Sequence, residues 1–166
     1  MSYSSAHPWR ATAGMGSRPA VQTAAGLVGA LFLLVGILGF IPGITTNYGT
    51  MQFAGHGSQA MLFGIFQVSI LHNIVHLLFG IAGLSMMRSA GSARAFLIGG
   101  GLIYLALWVY GLIFGSETTA ANFVPLNNAD NWLHLGLAIG MTGLGLALGA
   151  GGTSTATPRR DTETPG

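Results

Sequence analysis

Four apolar runs free of charge or nearly so, from about Val21 to Ile41, Met61 to Met87, Ala95 to Phe114 and Asn131 to Leu148, dominate the chain. An α-helix rises 1.5 Å per residue, so about 20 such residues cross a hydrocarbon core about 30 Å thick. Charged residues are only 6% of the 166, against about 25% in a soluble domain, so the chain cannot clothe a globule in water. The runs predict an all-α, integral membrane four-helix bundle. Domain 21–148 is then transmembrane, and the Ser-, Thr-, Gly- and Pro-rich flanks, 1–20 and 149–166, read as disordered tails. The absence of Cys removes disulfides, thiolate ligands and thiol nucleophiles.

The arginines orient the bundle. All six basic residues are Arg: Arg10 and Arg18 precede the first run, Arg88 and Arg94 separate the second and third, and Arg159 and Arg160 follow the fourth. The loops from about Pro42 to Ala60 and about Gly115 to Asp130 hold neither Lys nor Arg. Positive charge near span ends stays cytoplasmic, so both termini are expected inside and these two loops outside. A cleaved signal peptide is the rival reading of the first run, but its apolar stretch is too long and no small-x-small cleavage site follows.

The two halves share a pattern. Asn73-Ile74-Val75-His76-Leu77 and Asn131-Trp132-Leu133-His134-Leu135 both read Asn-x-x-His-Leu. Each follows a glycine-bearing span with a similar end, Gly39-Phe40-Ile41-Pro42-Gly43 and Gly111-Leu112-Ile113-Phe114-Gly115. Two similar transmembrane hairpins of one orientation would be a parallel repeat about an axis along the membrane normal. The segments Gly39–Gly43, Leu71–His76 and Asn128–His134 also resemble the markers of a family of four-helix actinobacterial membrane proteins whose function is unknown. That resemblance covers about Gln22 to Leu148. It implies four spans in a bacterial plasma membrane and carries over no catalytic residue.

Ser69, His72, Asn73, His76, Gly80 and Gly83 recur at three- and four-residue steps and share a helix face. In the expected topology they occupy the outer half of the membrane, together with Asp130, Asn131 and His134. Ionisable groups at such depth face protein and mark a functional site by default. Three readings follow. In the first, Asn and His fasten helices by interhelical hydrogen bonds, Asp130 caps the fourth helix, and the protein is a non-catalytic membrane module. In the second, His76 or His72 pairs with His134 as axial ligands of a noncovalent haem b, with Asn73 and Asn131 orienting the rings. A metal held by His72, His76, His134 and Asp130 is a variant of it. In the third, His72, His76 and Asp130 line a proton or small-solute pathway.

Other features point elsewhere. Trp9, Trp108, Tyr104, Tyr110 and Trp132 read as interfacial anchors. Gly136 with Gly140, Gly145 with Gly149 and Gly111 with Gly115 read as small residues four apart that admit close helix packing. Through such faces a homo-oligomer or a larger membrane complex is expected alongside the lipid bilayer itself. No phosphate loop, nucleophile elbow or nucleic-acid patch occurs, and no metalloprotease helix motif.

Overall fold

The computed structural model describes residues 19–115 and 123–149, so the expected tails lie outside the described residues apart from their innermost positions. Among the described residues four helices form the bundle: α1 (Ala20–Leu38), α2 (Ile70–Met86), α3 (Ala90–Phe114) and α4 (Asn128–Gly149). The fold is an all-α membrane helical bundle. α1, α3 and α4 are long and apolar enough to cross a membrane, and α2 is a shorter apolar helix of 17 residues.

The second run departs from expectation. Met61–Gln67, expected to be helical, forms the last two strands of a small antiparallel sheet of β1 (Thr45–Thr46), β2 (Met61–Leu62) and β3 (Phe66–Gln67). Thr45 pairs with Leu62 and Leu62 with Phe66. Phe63 and Gly64 turn the β2–β3 hairpin with φ of 55° and 70°, the positive-φ pair of a tight hairpin turn. Leu62 and Val68 pack with Ala60 into a satellite core under the sheet. α2 begins only after Ser69, whose hydroxyl accepts from the His72 N–H at 3.1 Å, a side-chain N-cap.

Helices pair through missing side chains. On α1, Gly26 faces Met87, Gly29 faces the Gly80 and Leu84 backbone, Gly36 faces Leu77, and Gly39 faces Asn73. As numbers rise on α1 they fall on α2, so the two run antiparallel. On α3, Gly101 faces the Ala138 and Thr142 backbone and Gly111 faces Asn131, while Ile98 fills the notch at Gly145 of α4. That pair is antiparallel too. Gly136 and Gly140, expected at a helix contact, instead face open space.

Several positions of the two pairs correspond at fixed steps. A step of 72 residues carries Gly29, Phe32 and Gly39 of α1 to Gly101, Tyr104 and Gly111 of α3. A step of 58 carries Asn73, His76 and Gly80 of α2 to Asn131, His134 and Ala138 of α4. The same 58-residue step relates the two cap residues, Ser69 and Asn127. Phe32 and Tyr104 meet between the pairs, with ring centroids 5.5 Å apart and planes 8° from parallel. The core continues away from the sheet as Phe79, Phe96, Leu97 and Met141.

Candidate functional site

The histidines converge. His72 and His76 sit one turn apart on α2 with ring centroids 4.5 Å apart, and His72 lies 6.3 Å from His134 of α4. Phe32 of α1 stacks on His76 at 5.7 Å, and Tyr104 of α3 lies against His134 at 5.2 Å. Five rings from all four helices thus close a circuit: His72, His76, Phe32, Tyr104 and His134. His76 is 8% exposed, and His134 and Tyr104 are 2% exposed.

Beside the circuit lies a cavity of about 100 Å³, lined by Ser69, His72, His76, Tyr104 and His134, with apolar walls that include Val75, Leu107 and Pro125. It sits at the sheet-bearing end of the bundle, under the 123–125 segment. Beyond Tyr104 the interior is filled by Phe79, Phe96, Leu97 and Met141. Among the described residues the cavity ends against these side chains. The Nδ1 atoms of His72, His76 and His134 are all buried without a hydrogen-bond partner.

Asp130 does not join the histidines. Its Oδ2 accepts the N–H of Gln67 at 3.0 Å and that of Asn127 at 2.9 Å, while the Asn127 side-chain oxygen accepts the Asp130 N–H at 2.9 Å. This is a reciprocal cap that also ties β3 to α4. With its carboxylate turned to backbone amides, the expected set of His72, His76, His134 and Asp130 does not form. No group of three or more His, Asp or Glu among the described residues is arranged to hold a metal ion.

Nor does the site support a haem held by His134 with either His76 or His72. Phe32 already packs against the His76 ring and Tyr104 against the His134 ring. The cavity of about 100 Å³ is also smaller than the ~300 Å³ at which pockets for drug-sized ligands begin.

Asn73 and Asn131 likewise play a different part. Neither orients an imidazole: each lies over a glycine, Gly39 or Gly111, where a Cβ would collide with the carboxamide. Their buried Oδ1 atoms have no conventional donor, which fits a weak Cα–H···O contact of the kind found at helix–helix interfaces. Among the described residues, neither Asn131 nor the three histidine Nδ1 atoms make a hydrogen bond between helices, and glycine-to-backbone packing joins each pair.

Tyr104 is the site residue that sequence reasoning missed. Taken for an interfacial anchor, it is buried at the centre of the bundle. The signal lay in its spacing, since it stands to Phe32 as Gly101 stands to Gly29. Trp132, by contrast, is 63% exposed, as an anchor would be.

A helical membrane bundle with a histidine-lined cavity toward one end is the class that fold and site define. Residues 22–147 match the family model described as Domain of unknown function (DUF4383), and the chain belongs to that family. No curated protein and no solved structure matches it.

Proposed function

We propose that this protein is a non-catalytic, multi-pass module of a bacterial plasma membrane, with both termini cytoplasmic. It holds a hydrated histidine chamber open to the outer side. The observation that carries this is the cavity itself, which His72, His76, Tyr104 and His134 line at one end of the bundle. A cavity of about 100 Å³ accommodates roughly three waters at ~30 Å³ each, held by the few polar groups among its lining side chains.

The sidedness follows from the arginines. Arg94 packs on Gly149, and Met87 packs on Gly26, so the α2–α3 connection, the start of α1 and the end of α4 share one end of the bundle. That arginine-bearing end is cytoplasmic by the charge rule, which leaves the chamber in the outer half.

The absence of native Cys makes the test clean. In cells expressing the full chain, Leu107→Cys, in the chamber wall, reacts with a small charged methanethiosulfonate added outside. Leu97→Cys, in the sealed core, stays unmodified. Silence at Leu107→Cys, or reaction only from the cytoplasmic side, overturns the reading.

A further inference from the structure

We propose that the chamber takes a small monocarboxylic acid in its uncharged form, an inference that rests on the outward, hydrated chamber argued above. Charge excludes most other small ligands. Among the described residues no Lys, Arg, Asp or Glu lines the cavity, because Asp130 is held by the Gln67 and Asn127 amides. A permanent ion entering alone would be buried without a counter-charge, which costs far more than burial of a neutral group.

An uncharged acid brings its own proton. Each neutral imidazole offers one bare nitrogen and one N–H. The acid O–H donates to the bare nitrogen of one imidazole, and its carbonyl oxygen accepts from another imidazole N–H or from the Tyr104 hydroxyl. When the proton crosses, the O–H bond breaks and an N–H bond forms, with the electron pair remaining on oxygen. The resulting carboxylate and imidazolium are a paired, net-neutral unit. Among the described residues, the groups able to titrate around the ligand are His72 and His76 from α2, Tyr104 from α3 and His134 from α4, with Asp130 one turn away; α1 contributes only Phe32 beside them.

Size and symmetry narrow the choice. The cavity, about 100 Å³, admits an acid of two or three carbons, and Val75, Leu107 and Pro125 can receive its alkyl end. The repeat supplies a control within the molecule. Stepping 72 and 58 residues converts Tyr104 and His72 into Phe32 and Asp130, so the opposite side of the pseudo-two-fold axis lacks this donor–acceptor set. One ligand per chain is expected, with Tyr104 and His72 as the residues that make the site one-sided.

The test is equilibrium binding of radiolabelled acetate to the full chain in nanodiscs, with empty nanodiscs as blank. One acetate per chain binds, more tightly at pH 5 than at pH 8 because the uncharged fraction of the acid rises as pH falls. Tyr104→Phe, which keeps the ring, weakens binding about tenfold, the loss of roughly one hydrogen bond. Acetamide, of like shape but without an acidic proton, fails to compete. Equal competition by acetamide overturns the acid reading and leaves the chamber standing. Binding of neither, with Leu107→Cys still labelled, overturns it in favour of a chamber that holds water alone. Binding of neither with Leu107→Cys unlabelled removes the chamber as well.

Discussion

At the scale of the residue, the bundle depends on where side chains are missing. A Cβ on Gly80 would come within 2.6 Å of the Leu33 backbone nitrogen and 2.8 Å of the Gly29 carbonyl oxygen. Backbone cannot swing aside, so Gly80→Ala must push α1 and α2 apart, at a cost of about 1–3 kcal/mol for overpacking. A Cβ on Gly140 meets nothing within 4 Å, and Ala is favoured over Gly in a helix by up to about 1 kcal/mol. Thermal unfolding in detergent should show Gly80→Ala melting below the parent protein and Gly140→Ala level with it or above. Equal melting of the two would remove close packing as the reason for Gly80. The sequence alone did not separate these glycines, because spacing of four marks a stripe on a helix without saying which stripe faces protein. Histidine was more legible: His72, His76 and His134 stand out as costly groups at membrane depth, and they do converge. The orientation of Asn73 and Asn131 was not legible, since it depends on which glycine the partner helix places opposite.

At the scale of the element, apolar content identified four helices but overran the start of α2. Residues Met61 to Val68 are as apolar as a span, and composition cannot distinguish a buried hairpin from a helical turn. The local signs were the Phe63-Gly64 turn and the Ser69 cap, and both carry weight because a helix start needs acceptors for its free amides. Asp130 extends that logic across elements, as its one oxygen serves a β3 amide and the amide of Asn127, the cap residue before α4. Asp130→Ala would strand both donors, each costing about 1–3 kcal/mol if left buried. The variant should therefore lose roughly 2 kcal/mol of stability and expose the β2–β3 hairpin to chymotrypsin at Phe63 or Phe66. Asp130→Asn keeps one acceptor oxygen and should be cut more slowly than the alanine variant. Equal cleavage of all three proteins would mean that Asp130 does not latch the sheet.

At the scale of the whole molecule, the open question is whether the 17 residues of α2 cross the membrane as the other three helices can. Its helical length is about 26 Å at 1.5 Å per residue, the short end of what a hydrocarbon core of ~30 Å accepts. Packing argues that it does cross. α2 follows α1 from Gly26 opposite Met87 to Gly39 opposite Asn73, so the two helices cover the same height of the bundle. The strands at its N-terminal end keep their backbone groups paired where helix is lacking, which suits a segment near the membrane surface. Four spans put the 59 and 89 positions on opposite sides, whereas a chain in which α2 failed to span would put them on the same side. Single-cysteine variants of this Cys-free chain decide the matter. Gln59→Cys should react with an impermeant maleimide on intact cells, and Ser89→Cys only after permeabilisation. Reaction of both from outside would reduce the bundle to three crossings and place one terminus outside.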